Sequence, residues 1–152
     1  MPQSRAQKRN DALSAATPYD DLLCFNMYRG WRAIQELYAS VFPKDFNPQR
    51  SYVIGLCLEH PTTVSQIAAV LQIDDAAVSN LIRRMENDGL VKRERSGTDG
   101  RSFEIHATEH GKATYYQAQE RSAAIDQKLY DSIDTDDIAV LRRIVEAIHT
   151  HG

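Results

Sequence analysis

The chain has 152 residues, 42% of them hydrophobic, enough for one ordinary domain with a core of its own. Its formal net charge is −3, no apolar run approaches the roughly 20 residues of a membrane helix, and no secretory leader precedes the polar start, so a soluble, cytoplasmic protein without membrane contact is expected. Two cysteines are too few for a secreted disulfide framework, and no Cys or His spacing suits zinc, so neither a metal nor a cofactor is expected.

Residues 1–16 are polar, with Arg5, Lys8 and Arg9 early and no apolar periodicity, and read as a flexible arm. Thr17-Pro18 reads as a helix start, with Thr as N-cap, Pro at the first position, and Asp20 and Asp21 near the positive end of the helix dipole. The helix is expected to reach about Phe42, with Leu22, Leu23, Phe25, Met27, Trp31, Ile34, Leu37, Tyr38 and Val41 apolar. That is too many for a helix packed on one side, and it predicts burial against a second chain as well as against its own core. Pro43 ends it, and Asn47-Pro48 opens a second helix that runs through Leu58 before Pro61.

Thr63 caps the next helix, whose Val64, Ile67, Ala68 and Leu71 mark an inward face. Gln72-Ile73-Asp74 is a short connection, and Asp74 or Asp75 caps a further helix. That helix carries Val78, Leu81, Ile82 and Met85 as a buried stripe, with Ala76, Ser79, Asn80, Arg83, Arg84 and Asn87 on its other side. Small, hydrogen-bonding and cationic side chains are the types that approach phosphates closely and read base edges. Two helices joined by about three residues have the spacing of a helix-turn-helix, whose second helix lies in a major groove. Gly89 stops the helix; Leu90 to Arg95 and Ser102 to His106 form two strands about a turn, Ser96 to Gly100, with Arg101 at or near the tip. Glu109 to about Ser132 forms a long helix packing through Ala113, Tyr116, Ala123, Ile125 and Leu129. Asp134-Thr135 caps a last one with an Ile138, Leu141, Ile144, Val145 and Ile148 stripe.

The expected fold is therefore α+β and mostly helical. One domain spans 17–152, with a winged helix-turn-helix over 47–111 and dimerisation helices over 17–46 and 112–149. Its DNA contact set is Thr63, Ala76, Ser79, Asn80, Arg83, Arg84, Lys92, Arg93, Arg95, Asp99 and Arg101. The cations in it concentrate positive field locally, which outweighs the global charge.

Leu81-Ile82-Arg83-Arg84-Met85-Glu86-Asn87-Asp88-Gly89-Leu90-Val91, Arg93-Glu94-Arg95, Asp99-Gly100-Arg101 and Ala107-Thr108-Glu109-His110-Gly111 together resemble the winged helix of the MarR (multiple antibiotic resistance regulator) family. The resemblance implies a homodimeric transcription regulator, most simply a repressor, on a near-palindromic double-stranded operator. In it a wing arginine, matched by Arg101, enters a minor groove and is oriented by an aspartate, matched by Asp99. An enzyme or protein-binding module is the non-regulator alternative; against the enzyme stands the lack of a nucleophile–base spacing.

Cys24 and Tyr28 stand one helical turn apart on one face, while Tyr38 returns to within roughly 40° of that face but about 21 Å further along. Tyr38 thus reaches Cys24 only across a two-fold axis. This spacing resembles the peroxide-sensing OhrR branch of the family, which implies Cys24 as the sensing thiol and Tyr28 and Tyr38 as its phenolic donors. Two inducers stay open: an oxidant acting on Cys24, or a small aromatic acid or acyl-thioester ligand. Cys57, between Leu56 and Leu58, reads as core.

Overall fold

A computed structural model describes residues 16–43, 46–97 and 100–151. Of the arm expected over 1–16, only Ala16 lies among them. Between Leu37 and Tyr38 the chain divides into two compact units.

In the first unit the Thr17-Pro18 helix start is not formed. The Thr17 N–H and hydroxyl both donate to the Asp20 carboxylate, at 2.8 and 2.7 Å, closing a separate turn. Those bonds, the backbone one foremost, hold the Asp20 carboxyl below its usual range. The Asn26 amide donates to the carbonyls of Asp20 and Leu22, and helix α1 begins only at Leu23, running Leu23–Tyr38. It ends before the expected Phe42, because the N–H groups of Val41 and Phe42 both turn back onto the Tyr38 carbonyl. Leu23, Tyr28, Trp31, Ile34 and Leu37 are all exposed.

The second unit holds the remaining elements. Helix α2 (Pro48–Glu59) starts as expected, with Asn47 accepting from the Arg50 N–H and proline at the first position. Helix α3 (Val64–Leu71) opens with a reciprocal capping box between Thr63 and Gln66 and ends on Gln72 in the left-handed region, φ 54°. Helix α4 (Asp75–Asn87) is capped by Asp74, whose carboxylate accepts from the Ala77 N–H. Its far end closes through Gly89 at φ +70°, with Gly89 N–H to the Glu86 carbonyl and Leu90 N–H to the Met85 carbonyl.

Strands β1 (Val91–Arg95) and β2 (Phe103–Ala107) pair antiparallel, with Val91 opposite Ala107 and Arg95 opposite Phe103. β1 ends at Arg95 as expected, whereas its start and both ends of β2 differ by one residue from the expected spans. Leu90 is taken out of the ladder because its N–H completes the helix stop and its carbonyl accepts from Thr108. Thr62 bridges to Ile105 on the sheet, tying the ribbon to the α2–α3 connection.

Ile54, Ile67, Val78, Ile82, Met85 and Ile105 are fully buried, so α2, α3, α4 and the ribbon share one core. Helix α5 (Glu109–Tyr130) leaves the ribbon under a Thr108 cap. Its buried positions are Gly111, Ala118 and Ser122; of the expected packing residues, Ala113, Tyr116, Ala123 and Leu129 are exposed and Ile125 is only half-buried. Small residues win that face because the helix lies so close: a Cβ on Gly111 would sit 2.0 Å from the Leu90 carbonyl oxygen. Helix α6 (Thr135–His151) has no fully buried residue: of the expected stripe, Ile138, Ile144 and Val145 are half-buried and Leu141 and Ile148 are exposed.

Candidate nucleic-acid interface

Helix α4 divides as its sequence predicts. Val78, Leu81, Ile82 and Met85 are buried, whereas Ala76, Asn80, Arg83, Arg84 and Asn87 are exposed and Ser79 is half-buried. The Arg83 guanidinium donates to the Asn80 side-chain carbonyl at 2.6 Å. That partner is neutral, so it orients Arg83 without cancelling its charge. At the helix start the Ser65 hydroxyl donates to Asp75 at 2.8 Å, joining α3 to α4. At the other end Arg50 of α2 meets Asp88 at 2.6 Å, with little of the Arg50 side chain exposed. Thr63, placed in the contact set, is the half-buried cap of α3.

The ribbon cations have partners within the chain. Lys92 pairs with Glu94 at 2.5 Å, and this hydrogen bond holds the Glu94 carboxyl below its usual range. Arg95 donates to the Gly100 carbonyl at 3.1 Å and lies over the Phe103 ring, 5.7 Å from its centroid. Arg93, expected among the DNA-facing cations, reaches α4. Its Nε is 3.1 Å from Glu86 and its Nη2 donates to the Ser79 carbonyl at 3.5 Å. Strand alternation causes this: Arg93 faces the same side as buried Val91 and Ile105, toward the helix. Arg101 is exposed in the turn leading into β2, and Asp99 lies outside the described residues.

The residues singled out for sensing fall in different surroundings. Cys24 is exposed and, with the later helix start, sits in the first turn of α1 and not the second. Tyr28, one turn on, is exposed too. Tyr38, expected to donate to the Cys24 thiolate, gives its single hydroxyl proton to Asp126 of α5; the second Asp126 oxygen is 3.0 Å from the Ser122 hydroxyl. Partial burial, then that acceptor, push the Tyr38 phenol well above its usual range. Cys57 is buried, and burial pushes its thiol up to about 11.

Sequence reasoning missed Glu86, Asp88, Arg50 and Asp126, all acting inside the chain. The available signal was opposite charge on either side of the Gly89 turn, at Glu86 and Arg93.

Two helices joined by a short turn, the second with an apolar inner stripe and a polar, cationic outer side, followed by a two-stranded ribbon, define a DNA-binding winged helix. Residues 44–102 match the model of the MarR family. Over 131 residues the chain is 30% identical to the HTH-type transcriptional regulator MgrA of Staphylococcus aureus, covering 84% of this chain and 88% of that one. It is 34% identical over 94 residues to the organic hydroperoxide resistance transcriptional regulator of Bacillus subtilis, covering 60% and 64%. CouR of Rhodococcus jostii bound to p-coumaroyl-CoA has a similar fold, with TM-score 0.76 and 21% identity over 88% of this chain and 95% of that one. The chain belongs to the MarR family and is a transcription regulator, not an enzyme.

Proposed function

We propose that this regulator is a homodimeric repressor that holds a near-palindromic operator and leaves it when Cys24 is oxidised. The observation that carries the DNA-binding part is the exposed outer side of α4, with Asn80, Arg83, Arg84 and Asn87, beside a ribbon whose turn bears Arg101. One chain presents one such helix. Two copies related by a two-fold axis present two, about 34 Å apart, one DNA turn, and require a near-palindromic site. The exposed apolar side chains of α1 and α6 supply the surface for that pairing.

The contrast between the thiols supports an oxidant as the inducer. Cys57 is buried and holds its proton, whereas Cys24 is open to solvent in the first turn of α1, within reach of a dissolved oxidant. Its thiolate would attack an organic hydroperoxide, breaking the O–O bond, releasing an alcohol and becoming a sulfenic acid. Condensation with a small thiol then expels water and leaves a bulky mixed disulfide on α1. Repacking of the dimer surface around it would change the spacing of the two reading helices. The name of the Bacillus subtilis relative points to the same chemistry.

The Tyr38–Asp126 bond favours a second reading, since it removes one phenol that a Cys24 thiolate would use. In that reading an aromatic acid or acyl thioester releases the DNA, in line with the p-coumaroyl-CoA bound by CouR. Wild type and Cys24→Ser, treated with an organic hydroperoxide while bound to DNA, separate the two. Oxidative release means that only the wild type dissociates; if both stay bound or both leave alike, the ligand reading takes its place.

A further inference from the structure

We infer that Arg93 is a positioning residue: with Glu86 it forms a strut that sets the angle between the reading helix α4 and the wing, and so governs sequence discrimination instead of attraction to phosphate. This rests on the reading of α4 and the ribbon as the DNA surface. The Arg93 guanidinium reaches two turns of α4 at once, with Nε 3.1 Å from the Glu86 carboxylate and Nη2 3.5 Å from the Ser79 carbonyl. The Arg93 and Glu86 side chains are 35% and 31% exposed, so the pair is a partly shielded junction and not a loose surface contact. The small side chain at Ser79 leaves that carbonyl approachable.

The same helix end is gripped from the opposite element by Arg50 on Asp88, and the Gly89 stop runs directly into β1. The Arg93 link adds to that turn and to the buried contacts beneath in joining the ribbon to the outer part of α4. A tilt of α4 against the wing would misalign Asn80 and Arg83 with base edges while leaving every cation in place. Discrimination between sequences would fall, and general attraction to DNA would not.

Charge and geometry predict opposite signs for one substitution. Glu86→Gln removes a negative charge beside the DNA surface, which by field alone tightens binding to any duplex. If Glu86 is half of a strut, the same change weakens binding to the preferred sequence. A planar fork is needed to hold a carboxylate and a carbonyl together, so Arg93→Lys keeps the charge and loses the link.

The test uses the full chain, a duplex that the wild type selects from randomised DNA, and an unrelated duplex of equal length, with affinities measured across a salt series. Glu86→Gln, Arg93→Ala and Arg93→Lys should each lower the selected-to-unrelated affinity ratio by about tenfold, and the Glu86→Gln/Arg93→Ala double variant should be no worse than either single one. The salt slope should stay that of the wild type. If Arg93→Ala instead weakens both duplexes alike and flattens the slope by about 0.9, or Arg93→Lys behaves as wild type, Arg93 is a phosphate contact and the strut is rejected. If Arg93→Ala does not fold, Glu86→Gln and Arg93→Lys decide, and tighter binding by Glu86→Gln rejects the strut. Wild type that selects DNA and is weakened by Arg83→Ala keeps the DNA-surface reading intact whatever the strut variants do. Wild type that selects none overturns both.

Discussion

Helices α1 and α4 are built from similar patterns and end in opposite circumstances. Both carry apolar residues at helical spacing, yet Val78, Ile82 and Met85 of α4 are 0% exposed while Trp31 and Ile34 of α1 are 56% and 46% exposed. In α4 the apolar stripe is narrow and finds its partners within the chain, on α2, α3 and the ribbon. In α1 the apolar positions are too many for one face, and Leu23, Trp31, Ile34 and Leu37 among them are exposed. A pattern of hydrophobic residues therefore states that burial is needed, and leaves open whether the same chain supplies it.

The strongest test of that contrast is a truncation in each helix. Ile82→Ala should destabilise the chain by about 2–5 kcal/mol, read by urea unfolding, because it opens a cavity in a fully packed site. Ile34→Ala should change the fold of one copy by no more than about 0.5 kcal/mol and instead weaken self-association, read by sedimentation equilibrium. Equal losses in both experiments would mean that α1 is a core helix after all.

Next in size is Gly111→Ala. The new methyl would stand 2.0 Å from the Leu90 carbonyl oxygen, so α5 must shift away from the ribbon. A loss of about 1–3 kcal/mol in thermal unfolding is expected, as for other overpacked sites. A neutral result would show that α5 is not tightly seated where it leaves the wing.

On the outer side of α4 and at the wing, changes should touch binding and spare stability. Arg101→Ala and Arg83→Ala should each weaken DNA binding by about 1–3 kcal/mol at matched salt, with unfolding midpoints unmoved. Unchanged affinity for both would remove these residues from the interface.

The smallest effect concerns alkaline pH. Burial raises the Cys57 thiol from 9.0 to about 11, so the folded state holds a proton that the unfolded state gives up first. That contribution is fully present below about pH 9 and is lost as pH rises through about 11. The stability gap between wild type and Cys57→Ser should therefore narrow over this interval. A gap that stays constant would place the thiol nearer solvent.

The sequence by itself determined the elements whose cause is local. Asn47-Pro48, Thr63 with Gln66, Asp74 and Gly89 mark helix ends through bonds that span only a few residues, and the structure forms each of them. The same holds for the buried stripe of α4, since helical periodicity alone brings Val78, Leu81, Ile82 and Met85 to one side. Thr17-Pro18 had equally good local credentials yet closes only a turn, in which the Asp20 carboxylate accepts from the Thr17 N–H and hydroxyl, and the helix begins at Leu23. Only the tertiary structure decided that Gly111, Ala118 and Ser122 face inward on α5, since close approach to the ribbon favours small residues over large apolar ones. It likewise decided which polar groups were already engaged. Arg93 meets Glu86 across a turn and Tyr38 meets Asp126 across 88 positions of sequence, and no spacing rule reports a hydrogen bond between residues that become neighbours only when the chain has folded.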